Sequence, residues 1–343
     1  MSPLRRTILG AAGAVLATGG VLAQRRTMPE LSGAVAWLNS PPLQPQDLRG
    51  RVVLVQFWTF TCINWLRTLP YVNAWWDRYR RHGLVVVGVH TPEFSFEQDI
   101  GQVRDAAARL QVGYPVAVDS RQAVWNAFGN AAWPALYLVD ASGRVRFHHD
   151  GEGAYDEAEL AIRQLLAETG AKDLPGGLAQ VQGRGAQAPA DWASLRSPET
   201  YLGARKAERF RSPGGIAGAR DREYEMPRSL PANTWAAAGH WNFGPEAARS
   251  LQPQARIAYR FHARDVNLVM GARLHGKPVP FRVRIDGQPP GPAHGSDADA
   301  GGHGTLAEAR LYQLVRQTGA VRERLFEIEF LEPGAELYAF TFG

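Results

Sequence analysis

Residues 52–58, VVLVQFW, form a continuous apolar run, and a run of this length reads as a strand buried on both faces. It leads through Thr59-Phe60-Thr61 into Cys62 at a strand-to-helix turn. The helix is expected through LRTLPYVNAWWDRYRRHG, kinked at Pro70 and capped at Gly83. A second buried strand, LVVVGVH, follows, then a helix in FEQDIGQVRDAAARLQ, a short strand in YPVAVD and a helix in RQAVWNAFG. PALYLVDASGRVRFHH reads as a hairpin turning at Ser142-Gly143, and DEAELAIRQLLAETG as an amphipathic helix ending at Gly170. Strands alternating with helices, then a hairpin and a last helix, predict an α/β layered domain over 24–170, including a Pro-rich lead-in over 24–50.

From 171 to 195 the chain turns to Gly, Ala, Pro and Gln with weak periodicity, which reads as a linker. Beyond it the period changes to two. FRVRID (281–286) puts Phe281, Val283 and Ile285 on one face and Arg282, Arg284 and Asp286 on the other. RIAYRF, FEIEF and LYAFTF behave likewise. Many short alternating strands between Gly/Pro turns predict an all-β sandwich of jelly-roll type over 196–343. A chain of 343 residues suits two such domains.

The formal charge is +5, but the arginines are scattered among acids with no long basic run, which argues against a nucleic-acid partner. The first 23 residues read as a targeting segment: Arg5 and Arg6 precede a short Gly/Ala-rich apolar stretch, and Val21-Leu22-Ala23 offers a small-residue cleavage site. Arg5-Arg6-Thr7-Ile8-Leu9 resembles a twin-arginine signal, which predicts export to the periplasm. The stretch is short and weakly apolar for a bilayer span, so no stable membrane insertion is expected after processing. The chain has one cysteine, and an exported protein with one cysteine holds no internal disulfide.

Cys62 opens a helix, where unpaired backbone N–H groups and the positive end of the dipole favour thiolate over thiol. The expectation is a depressed pKa and a nucleophilic sulfur. Trp133-Pro134 stands just before the ALYLV strand, the second element of the site. His90 and Glu93, in VHTPEF, end a central strand on the edge where Cys62 sits, and Glu93 is placed to shuttle protons.

These residues carry a specific resemblance. FWTFTCINW through HTPEF to AAWPALYLVDASG is similar to the thioredoxin-like part of the DipZ family. ETYLG, ARDVNLVMG, FRVRIDGQPPG and RLYQLVRQ through YAFTFG resemble the β domain that follows it there. The likeness covers residues 30–343 and leaves out the family's multi-spanning transmembrane domain. The segment between GVH and Trp133 resembles the insertion of redoxin or TlpA-like domains. The resemblance implies a cis proline at Pro134 abutting the active cysteine, with strand-like backbone at Trp133 and Pro134 free to hold a substrate chain.

Two positions depart from the family. Trp65 stands where the resolving cysteine of C-x-x-C belongs, and neutral Gln56 replaces the buried aspartate that serves it. Without a second thiol, a mixed disulfide on Cys62 has no attacker inside the chain. Three readings stay open. One is monothiol exchange with protein disulfides or small thiols, resolved by an external thiol. The second is peroxide reduction, with Thr59 of the T-x-x-C stretch orienting the peroxide, although Val55 replaces that motif's proline. The third is a redox-inactive scaffold. For the β domain, Trp235 and Trp241 suggest an aromatic platform for cell-wall glycan. No cofactor and no metal is expected. His148-His149 lacks a third ligand, and Asp297 to Glu308 spells an EF-hand loop with Gly301 in place of a ligand and no entering helix.

Overall fold

The computed structural model describes residues 27–272 and 277–343, so the targeting segment lies outside the described residues. The first domain is built on six strands: β1 (Ala36–Leu38), β2 (Val52–Trp58), β3 (Leu84–His90), β4 (Val116–Val118), β5 (Ala135–Val139) and β6 (Val145–Asp150). Their order in the sheet is β1-β4-β3-β2-β5-β6. β2 runs parallel to β3, and β3 to β4, while β5 lies antiparallel to β2 and carries β6 as the edge.

VVLVQFW is central, and all seven of its residues are buried. Alternation along it feeds two cores. Val52, Leu54 and Trp58 face one layer, beneath the helices α2 (Ile63–Tyr79), α3 (Ile100–Arg109) and α5 (Tyr155–Glu168). Val53, Val55 and Phe57 face the other, which packs Leu31, Leu48 of the short helix α1 (Pro45–Leu48) and the Val124 and Phe128 side chains of α4 (Ala123–Phe128). Helix α2 passes through Pro70 and presents Leu66, Leu69, Val72, Trp75 and Tyr79 to the sheet.

Among the described residues the second domain holds eleven strands: β7 (Thr200–Tyr201), β8 (Asp221–Tyr224), β9 (Trp235–Phe243), β10 (Ala248–Ser250), β11 (Ala255–Phe261), β12 (Asp265–Ala272), β13 (Val279–Ile285), β14 (His303–Leu306), β15 (Arg310–Arg316), β16 (Arg324–Phe330) and β17 (Ala335–Phe342). The hydrogen-bonded path β14-β13-β16-β11-β9-β10-β17-β12-β15 is antiparallel throughout. It folds over at β9, whose first half pairs with β11 and whose second half pairs with β8 and β10. Gly239 makes that bend at φ +89, where a side chain would press on Ala255. The two halves face each other across aromatic contacts, including Phe326–Phe340 at 5.7 Å and Tyr259–Phe340 at 5.2 Å between ring centroids. Phe281, Val283 and Ile285 point into this core as the period of two requires.

The domains share an apolar seam. Tyr338 and Ala339 of β17, Val269 of β12 and Leu311 of β15 join the core of the first domain rather than their own. Tyr338 packs against Phe94 and Phe96 at 5.1 and 4.8 Å. Part of the segment 171–195 is bonded to the first domain at 176–179. The Arg78 guanidinium donates to the Gly176 and Gly177 carbonyls, and buried Glu159 accepts from Ala179 N as well as from Trp75 Nε1 and Tyr79 Oη. Truncating Tyr338 to Ala opens a cavity in the seam and is expected to cost about 3 kcal/mol, as for other buried aromatics. A urea titration of the full chain reads this as a lowered midpoint, and an unchanged midpoint would show that the seam adds nothing to stability.

Candidate active site

β2 ends at Trp58, and a tight turn, closed by Cys62 N donating to the Thr59 carbonyl at 3.2 Å, places Cys62 as the N-cap of α2. The turn is held from below by Glu97. This carboxylate is wholly buried and accepts from Thr61 Oγ1 at 2.7 Å, Thr61 N at 3.3 Å, Glu93 N at 2.8 Å and Phe94 N at 3.0 Å. One side chain thus ties the cysteine turn to the loop that carries Glu93. Burial raises the pKa of Glu97 against the pull of these hydrogen bonds.

The Cys62 residue is half-buried, and its Sγ donates to the Trp133 carbonyl at 3.5 Å. The Trp133-Pro134 peptide is cis, Pro134 is buried, and the Trp133 indole donates to the Thr91 carbonyl and lies over Trp125. Cys62, Trp133 and Pro134 therefore meet, as the resemblance implies. The electrostatics run opposite to the expectation. Burial pushes the Cys62 thiol up, the Trp65 and Asn64 backbone N–H groups pull it down less strongly, and the charges of Glu93 and Glu199 add to the rise. The helix terminus acts as anticipated and is outweighed by burial, to which two carboxylates, one of them from the other domain, add.

Glu93 is half-buried and accepts a short hydrogen bond from the Tyr201 hydroxyl across the domain boundary. Its pKa is raised by burial, against Tyr201 and the Lys206 ammonium. Glu199 keeps an exposed surface. Desolvation and the Glu93 charge lift it to about 7, with Lys206 and the Tyr201 hydroxyl opposing, and solvent screens part of this shift. Lys206 Nζ stands 4.2 Å from the Tyr201 ring centroid.

The remaining expected residues lie deeper. Thr59 is wholly buried, its hydroxyl taken up by Glu97 and by His90 Nε2 at 3.5 Å, so it is not free to orient a peroxide. His90 is buried between Trp58 and Phe60, and burial holds its pKa down to about 3, which keeps it neutral. Trp65 is fully buried and stacks on Trp58 at 4.3 Å, so its indole fills the core and its contribution to the sulfur comes from its backbone N–H. Gln56 is buried and accepts from Tyr114 Oη at 3.1 Å. Arg67 is buried and committed to Glu152 at 3.0 Å and to the Phe342 carbonyl.

The expectation for Trp235 and Trp241 is corrected. Both side chains are 0% exposed in the β-domain core, with their indole N–H groups donated to the Glu208 and Ala238 carbonyls. Neither offers a ring face to a sugar. Asp297 is occupied by Arg310 and Gln313 N, and His148 pairs with Asp150, which leaves these groups in local contacts. Sequence reasoning missed Glu97, Glu199 and Tyr201. Glu97 read as a helical residue, and Glu199 and Tyr201, within ETYLG, read only as part of the β domain.

A mixed sheet with a half-buried cysteine at the N-cap of the helix after its central strand, facing a cis-proline strand entry, defines a thioredoxin-fold thiol protein. Residues 35–148 match the AhpC/TSA family and residues 197–343 the thioredoxin-like C-terminal domain. The chain is 40% identical over 250 residues to protein DipZ of Mycobacterium bovis, covering 71% of this chain and 35% of that protein. It thus spans about a third of the length of the DipZ relatives it matches. It is 34% identical over 145 residues to the thiol-disulfide oxidoreductase YkuV of Bacillus subtilis, covering 42% of this chain and 97% of YkuV. A solved thioredoxin-like protein in its oxidised form is 34% identical, with a TM-score of 0.39, over 42% of this chain and 97% of that one. The chain belongs to the family of thioredoxin-like thiol–disulfide oxidoreductases, and over 71% of its length it is similar to the DipZ proteins.

Two outcomes follow from the site's geometry. With its thiol pushed up, Cys62 should alkylate slowly near neutral pH and faster as pH rises into the alkaline range, since the thiolate is the nucleophile. A rate already at its plateau at neutral pH would contradict the raised pKa. Trp65→Cys should lose about 3–5 kcal/mol by emptying the space beside Trp58, and a thermal melt that matches wild type would place Trp65 outside the core.

Proposed function

We propose that this chain is an exported thiol–disulfide oxidoreductase that works through one cysteine, with protein disulfides or small thiols as its substrates. The observation that carries the reading is the placement of the sole cysteine. Cys62 caps α2, is partly open to solvent, and holds its Sγ 3.5 Å from the Trp133 carbonyl at the entry to β5. At rest the sulfur is a neutral thiol. It loses its proton to a neighbouring carboxylate, Glu93 in this reading, as it attacks one sulfur of a disulfide. The other sulfur leaves, and a mixed disulfide stands on Cys62. Backbone at Trp133-Pro134 lies beside the substrate chain. The position of a second thiol is filled by Trp65, so an external thiol must attack the adduct to release Cys62.

The basic pair Arg5-Arg6 and the short apolar stretch to Ala23 support export to the periplasm, where disulfides persist. Among the described residues no helix is long and apolar enough to cross a membrane.

Incubation of the full chain with a disulfide-bonded peptide should give a mass adduct on Cys62 that persists until glutathione or another thiol is added. Cys62→Ser should form none. Equal behaviour of the two proteins in adduct formation and exchange would leave a redox-inactive scaffold. Intact mass of the exported product should show loss of 23 residues, and a full-length, membrane-bound product would overturn the export reading.

A further inference from the structure

The β domain reaches the thiol site with three side chains. Tyr201 lies on β7, which is fixed by pairing with β17 and by Thr200 Oγ1, 2.9 Å from Tyr259 Oη, on one side and by Leu202 N donating to the Tyr338 carbonyl on the other. From this anchored strand the Tyr201 hydroxyl crosses the domain boundary to Glu93, its ring tilts against Phe94, and Lys206 caps its face. The Glu199 carboxylate, two residues earlier, also reaches the Tyr201 hydroxyl, and its charge is felt at Cys62. The phenol thus stands between two carboxylates, one from each domain. A small pocket beside them is lined by Glu93, Tyr201, Arg205, Lys206 and Glu246. The charged groups facing the unit are Lys206 and Arg205 from the β domain, Glu246 from the same pocket wall and Glu97 beneath Glu93.

We propose that the β domain completes the thiol site, with Glu199 and Tyr201 joining Glu93 in a carboxylate–phenol–carboxylate unit that stores the proton exchanged at Cys62. The inference rests on the reading of Cys62 as the nucleophile. In the forward step the unit takes the Cys62 S–H proton as Sγ bonds to one sulfur of RS–SR′. The S–S bond breaks, its electron pair leaves on R′S⁻, and the unit returns the proton to give R′SH. The products are Cys62–S–SR and R′SH, and the unit regains its starting protonation. The resolving step, attack by an external thiol, uses the same proton in reverse. Tyr201 is a positioning residue that spaces the two carboxylates. Two neighbouring carboxylates resist double ionisation, so one proton is retained between them near neutral pH, the range in which Glu199 titrates. A merely structural Tyr201–Glu93 contact would join the domains without affecting any proton.

The test uses two uncharged disulfides on the full chain at pH 7. 2-Hydroxyethyl disulfide releases an aliphatic thiolate that needs a proton, whereas 4,4′-dithiodipyridine releases a thiolate stabilised by its ring. Glu199→Gln should slow exchange with the aliphatic disulfide about tenfold, within the usual reach of acid–base assistance, and leave the aromatic one unchanged or faster. Tyr201→Phe should act in the same direction, and Glu199→Asp should restore part of the rate. Alkylation of Cys62 in Glu199→Gln should shift to lower pH, since one facing negative charge is gone. Equal slowing with both disulfides, or no change with either, overturns the proton-storing role while leaving Cys62 as nucleophile. If wild type reacts with neither disulfide faster than Cys62→Ser, the nucleophile reading falls and this proposal falls with it.

Discussion

The carboxylate of Glu97 is the contact on which the rest of the site depends. A buried carboxylate without partners is costly, and here donors from two separate loops converge on it. Thr61 fixes the turn that presents Cys62, while Glu93 N and Phe94 N fix the loop beyond β3. That loop then does two things. It aims the Glu93 carboxylate toward Tyr201, and it sets Phe94 against Tyr338 in the seam. Cysteine turn, acid loop and domain interface are thereby positioned by one side chain, and a shift in any of them is felt by the other two.

The electrostatics of the thiol follow from this geometry. A helix N-terminus lowers a cysteine pKa through partial charges worth roughly 0.3–1 kcal/mol at an exposed site. Burial, joined by two facing carboxylates, acts in the opposite direction and wins. The site is therefore not built to hold a resting thiolate. In the proposed cycle, nucleophile formation is coupled to proton movement, and that coupling spans the two domains.

Much of the fold was legible from local pattern. The unbroken VVLVQFW run is the central strand, and the alternation of Phe281, Val283 and Ile285 marks the inner face of the β domain. The meeting of Cys62 with Trp133-Pro134 was legible through the family resemblance, and the ends of β2 and β5 bring the two together. What escaped is set by long-range contact. Glu97 sits in a stretch that reads as polar helix, and only the tertiary turn brings Thr61 onto it. Tyr201 and Glu199 lie more than a hundred residues from Cys62, and no periodicity links them to it. Trp235 and Trp241 show the converse problem: composition cannot tell an exposed aromatic platform from a core, since indole suits both.

The two departures from the dithiol pattern form one packing unit with the centre of the sheet. Trp65 lies flat on Trp58, the last residue of β2, and Gln56, two residues earlier on the same face, is bonded to Tyr114. The indole fills the first turn of α2 where a small thiol would leave a void, and the amide keeps a neutral group where an ionised aspartate would be buried beneath stacked rings. Reversing one substitution alone therefore does not recover the other state. A cysteine at 65 leaves the Trp58 face unpacked, and an aspartate at 56 beneath the intact indole buries a charge with no thiol to serve. The single-cysteine site is thus held in place by core volume, and in the proposed cycle the thiol that releases Cys62 comes from outside the chain.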